Sequence, residues 1–178
     1  AMELLRDPRP GLAGVVLDGV YPISLDLDRA VAASAQSSID AIADACAASS
    51  ECSASTDDFA ALLDRTVDQP DAQPVAVPVA RGDNGFGFDF TVKLDGQRFA
   101  ELTFLLLYSE RHIAGLPAAV AAIEAGDADA AQWLVATGSR TLASAYGAND
   151  EGSYFAVQCA ERVDRATGVD TTIGGFSG

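Results

Sequence analysis

Apolar positions along the chain fall into short runs and longer helical stripes, separated by punctuating prolines and glycines. Gly11-Leu-Ala-Gly-Val-Val-Leu-Asp18 is a continuous apolar run between Pro10 and Gly19. Its length and its Val15-Val16 pair predict a strand of the kind buried on both faces in a parallel sheet. From Asp26 to Ala48 the period becomes helical, with Ala30, Ala33, Ile39, Ile42 and Ala45 among the apolar positions. Ser55-Thr56-Asp57-Asp58 offers N-caps for a helix carrying Phe59, Leu62, Leu63 and Val67.

Pro70, Pro74, Pro78 and the glycines and asparagine of 82–87 mark residues 69–89 as loop-rich, with short strands expected at Val75–Val79 and Phe88–Leu94. Three more helices are expected, at Asp95–Tyr108, Ile113–Ala125 and Ala128–Tyr146, and a strand-like segment at Ser153–Cys159. The expected fold is therefore mainly α with a few short strands. It divides into residues 1–22 (the end of a helix and one core strand), 23–148 (a helical region with a loop and short-strand insertion near 70–94) and 149–178 (a return segment and tail). A lone parallel-type strand cannot satisfy its own ladder hydrogen bonds, so the pattern implies a sheet supplied from outside these residues. The opening Ala1–Arg6 reads as mid-helix and Thr171–Gly178 brings no closing element, so the expectation is a piece of a longer protein.

Composition narrows the partners. The formal charge of −15, with 11 basic against 26 acidic residues, argues against nucleic acid and against anionic lipid surfaces. No run of eighteen apolar residues is present, so no membrane-spanning helix is expected. Cys46 and Cys52 flank Ala-Ala-Ser-Ser-Glu, a separation that permits a disulfide and equally leaves two free thiols; export of the parent would favour the bond. Cys159 is either buried or paired outside the segment. One histidine and three cysteines at these spacings make no metal site, and no cofactor motif is present.

Candidate chemistry is sparse. His112, next to Ser109 and Glu110, invites a triad, but nothing there reads as a nucleophile elbow, and a solvated or capping histidine is the expectation. Gly175-Phe-Ser177-Gly178 matches four positions of such an elbow without the strand before it or the helix after it, and reads as tail. Glu151 and Glu161 bracket the last strand-like segment, where two acids can hold an ammonium group. Tyr108, Trp133, Tyr146, Tyr154 and Phe155 are aromatic candidates for either a pocket or the core.

Several stretches, in order, resemble the tripeptidyl-aminopeptidase and prolyl-aminopeptidase group of bacterial serine peptidases in the α/β-hydrolase superfamily. These are Leu12-Ala-Gly-Val-Val-Leu-Asp-Gly-Val-Tyr-Pro22, the two-cysteine turn Cys46–Cys52, Leu107-Tyr108-Ser109 with the helix Leu116–Gly126, and Glu151-Gly-Ser-Tyr-Phe-Ala-Val-Gln-Cys-Ala-Glu161. The resemblance implies a helical cap, or lid, of an α/β-hydrolase fold that lacks most of the core sheet. It implies that the nucleophile, acid and histidine lie outside these residues, so that none of them is catalytic. Glu151, Glu161, Tyr108 and Tyr154 are the substrate-binding residues it suggests, for a short peptide or small ester held together with the catalytic core. A secreted or periplasmic location is expected, a cytoplasmic one is compatible, and self-association of the isolated segment is expected. A stand-alone helical binding module and one fragment of a split hydrolase are the alternatives.

Overall fold

A computed structural model describes residues 10–18, 25, 27–56, 58–148, 152, 153 and 156. The first long helix, α1 (Leu27–Ala48), buries Ala35, Ile39, Ile42 and Cys46, a 4-3-4 spacing that puts all four on one face. Of the apolar positions read from the sequence, Ile39 and Ile42 belong to this stripe; Ala33 and Ala45 face out. Ser49 then caps a single turn, α2 (Ser50–Ser53), its hydroxyl accepting from the Cys52 N–H at 3.3 Å. The turn is tied back to α1 by the Cys46–Cys52 disulfide, with Cα atoms 5.0 Å apart. Of the two states the spacing left open, the bonded one is present.

Asp58 starts α3 (Phe59–Ala72) by accepting from the Ala61 N–H at 3.0 Å. Phe59, Leu62, Leu63, Thr66 and Val67 are buried along it. The Thr66 hydroxyl is satisfied by donating to the Leu62 carbonyl at 2.8 Å. The helix runs four residues into the loop expected from Gln69 onward, because Pro70 lies in its last turn, where a missing N–H removes one bond without breaking the helix. Strands β1 (Val75–Val79) and β2 (Phe90–Leu94) pair antiparallel, Val75 opposite Leu94 and Val79 opposite Phe90. Val77, Val79 and Leu94 are buried while Ala76, Pro78, Thr91 and Lys93 face solvent, the alternation of a half-covered hairpin. In this two-stranded sheet of the described residues both strands are edges, which is where a proline such as Pro78 is tolerated.

Asp95 caps α4 (Gly96–Leu106) through the Arg98 N–H at 2.9 Å, and Phe99, Leu102, Thr103 and Leu106 form its inner face. Next come α5 (Glu110–Glu124) and α6 (Ala128–Ala148), separated by Gly126 at φ 86°, a left-handed helix-ending position. The Asp127 carboxylate then accepts from the Asp129 and Ala130 N–H groups. The central α3 packs on α1, α4 and α5, α4 packs on α6, and the hairpin lies against α4 and α6. α4 and α6 approach closely at Gly138, where a Cβ would stand 2.4 Å from Leu102 Cδ2.

The chain is thus mainly helical around one hydrophobic core, with one two-stranded sheet among the described residues. The strand expected at 11–18 is not formed. Residues 12–17 have no regular secondary structure, and Leu12, Val16 and Leu17 are exposed, Val16 at 97%. A strand exists only through ladder bonds to a neighbour, and the two described strands pair with each other and not with this run. Most of the strand expected at Ser153–Cys159 lies outside the described residues; Ser153 and Ala156, which are described, are helical.

Candidate functional site

Three features carry polar or apolar groups toward the surface. The first is a groove of 410 Å³ between the start of α1 and the end of α4. Small α1 side chains (Ala30, Ser34, Ala35, Ser38) form one wall, and Phe104, Leu107 and Tyr108 the other. Small residues recur there at helical spacing, so the backbone of α1 recedes and leaves the space. Tyr108 is 73% exposed and meets Phe104 edge to face, with ring centroids 5.5 Å apart. No charged side chain lines this groove; its polar handles are the tyrosine and the two serines, and the Ser38 hydroxyl is already donated to the Ser34 carbonyl. Such a surface receives an apolar group and offers it one phenol.

His112 lies in the first turn of α5, just after Ser109, whose side chain makes no cap bond. The imidazole meets Trp133 edge to face at 6.3 Å, and its Nδ1 is buried without a hydrogen-bond partner among the described residues. A general base needs an acid to orient it and a nucleophile to serve, and neither is hydrogen-bonded here. The histidine is half-buried on the α5–α6 seam, packed against Trp133, with no acid or nucleophile hydrogen-bonded to it among the described residues. The disulfide and Ile42 line a second, apolar groove of 500 Å³ against Ile113 and Pro117 of α5.

The outer face of α3 holds Asp64 and Asp68, with the capping Asp58 just before the helix. Partial burial, followed by the charges of Asp68 and Asp58, raises the Asp64 carboxyl above its ordinary value. Arg65 on the same helix pairs with Glu124 of α5 at 2.9 Å. No group of three metal-ligating side chains occurs among the described residues, and no helix there is long and apolar enough to cross a membrane.

The third feature is the connection between β1 and β2. Asn84 is fully buried and its side chain is bonded on three sides. Its Nδ2 donates to the Ala80 and Phe88 carbonyls at 2.8 and 2.9 Å, and its Oδ1 accepts from the Phe86 N–H at 2.7 Å. Gly85 and Gly87 take positive φ, and a Cβ at Gly85 would come within 3.0 Å of Ala143. Arg140 of α6 donates to the Asp83 carbonyl at 2.9 Å. The loop is consequently fixed, and it displays Phe86 and Phe88 beside Phe90, with ring centroids 5.6 to 6.2 Å apart. The expected strand Phe88–Leu94 begins two residues later, at Phe90, and reading residues 82–87 only as loop missed the aromatic cluster; the signal was the alternation Phe86-Gly-Phe88-Asp-Phe90, a strand period continued beyond the strand.

Of the substrate-binding residues suggested by the sequence, Tyr108 lines a groove, whereas Glu151, Tyr154 and Glu161 lie outside the described residues, as do Cys159 and the Gly175–Gly178 stretch. Comparison of the chain with protein-family models, with curated proteins and with solved structures found no match.

Proposed function

We propose that this chain is the substrate-selecting cap, with one flanking core strand, of an α/β-hydrolase-type serine peptidase of the exo-acting aminopeptidase kind or a related esterase. The observation that carries the reading is the Leu12–Leu17 run. It is apolar and exposed, and no strand among the described residues pairs with it, beside a helical body that has a core of its own. Exposing such a run is unfavourable at about 25 cal/mol per Å², so a covering surface, here the core sheet, is its natural complement.

In this reading the helices roof the active site, exclude water and limit access to short peptides or small esters. Tyr108 faces the substrate from the α1–α4 groove, Glu151 and Glu161 hold its amino terminus, and Tyr154 is a further substrate-binding residue. A fluorophosphonate probe applied to the whole protein should label a serine outside residues 1–178, with a G-x-S-x-G sequence encoded upstream and the acid and histidine downstream. The 178-residue chain alone should neither be labelled nor cleave aminoacyl or tripeptidyl nitroanilides. Labelling at Ser177, or turnover by the chain alone, would overturn the proposal. A stand-alone binding module is the second reading, favoured by the closed helical core; a reading frame without the hydrolase motifs would select it.

A further inference from the structure

We infer that the β1–β2 loop is a preformed aromatic subsite that takes one apolar side chain of a peptide. Its role as a substrate subsite rests on the cap reading above. Three observations carry it.

The first is rigidity without a folding reason. Asn84 is fully buried with three hydrogen bonds, Arg140 clamps the Asp83 carbonyl, and Gly85 fits closely against Ala143. Yet what this framework holds in place is not core: Phe86 and Phe88 remain 37% and 59% exposed. Fixing aromatic rings in the open lowers the entropic cost of binding to them. Phe90, half-buried at the start of β2, anchors the trio to the hydrophobic core.

The second is charge. Around the rings Arg81 and Arg140 offset Asp83 and Asp89, so the loop is locally neutral on a chain of net charge −15. Asp89 is moreover engaged by the Arg81 N–H at 2.7 Å. An uncharged, apolar group is the complementary ligand, whereas a cation would find no surplus of acid there.

The third is size. The two residues together expose about 200 Å², roughly one phenylalanine's worth. A stable dimer needs about 800 Å² from each partner. The two phenylalanines alone fall well short of that area, and a single leucyl or phenylalanyl side chain matches them.

The test is a ¹H–¹⁵N NMR titration of the 178-residue chain with Ala-Phe-Ala-amide and Ala-Ala-Ala-amide, paired with kinetics of the whole enzyme. Ala-Phe-Ala-amide should shift the amides of Gly85 to Phe88, including the Phe86 N–H bonded to Asn84, and bind about tenfold more tightly than the alanine peptide. Phe86→Ala/Phe88→Ala should abolish that difference. In the whole enzyme the same double variant should lower the preference in KM for phenylalanyl over alanyl substrates about tenfold, with the ratio of kcat values retained. Equal binding of the two peptides, or shifts elsewhere only, overturns the inference while leaving the cap reading intact. A whole protein without hydrolase activity overturns the cap reading, and the titration still decides whether the platform binds. Concentration-dependent shifts without peptide that vanish in the double variant would identify a second copy as the occupant and refute the single-side-chain assignment.

Discussion

Asn84→Ala is the sharpest probe of how this fold holds its surface. The amide makes three hydrogen bonds of 2.7 to 2.9 Å from a fully buried position, and alanine removes all three. At about 1 kcal/mol net per bond the gross loss is about 3 kcal/mol. Ala80 and Phe88 are exposed, so their carbonyls recover water, and Ala80 keeps its bond from the Asp83 N–H at 2.9 Å. That recovery lowers the expected destabilisation to about 2 kcal/mol, a large fraction of a typical 5–15 kcal/mol stability. Urea unfolding followed by far-UV circular dichroism should show the midpoint fall with the slope unchanged. Hydrogen exchange at the Phe86 amide, which donates to Oδ1, should accelerate by more than global unfolding explains. A loss below about 0.5 kcal/mol, with Phe86 exchange unaltered, would mean that the loop keeps its shape without Asn84, and the preorganised platform would lose its physical basis.

The other predictions concern the helical body. Replacing Cys46 and Cys52 by serine should destabilise the chain by about 2 kcal/mol, since the bond closes a loop of sequence separation 6 and short loops give the smaller entropic gains; thermal melts with and without reductant would check it. Gly138→Ala should destabilise by about 1–3 kcal/mol, because its Cβ meets Leu102 at 2.4 Å. Gly115→Ala in α5, where nothing lies within 4 Å, should stabilise by about 0.5–1 kcal/mol, so opposite signs in one urea series test the packing directly. Asp64→Asn should stabilise slightly at pH 7. The folded-state carboxyl is raised above 3.8, so its ionisation opposes folding above the folded value; the advantage should shrink as pH falls through that value and disappear below 3.8. Because Asp64 is exposed and screened, the effect should stay well under 1 kcal/mol.

By itself the sequence determined the helical body. Apolar spacing located α1, α3, α4, α5 and α6, Ser55–Asp58 offered the caps from which the structure uses Asp58, and the β-prone run around Pro78 located β1, because these are properties of a helix period, a cap or a strand period within a few residues. The cysteine spacing permitted the disulfide without choosing it, since the choice depends on how α2 folds back on α1. Only tertiary structure decided which face of α1 is buried, for an alanine-rich helix has weak preferences until α3 packs against it. Only tertiary structure turned His112 toward Trp133, and only contacts with α6, 57 residues away at Arg140, made the β1–β2 connection rigid. The run at Leu12–Leu17 is the instructive case: its apolarity is a local fact, but being a strand is a relation to a neighbour, and among the described residues that neighbour is not there.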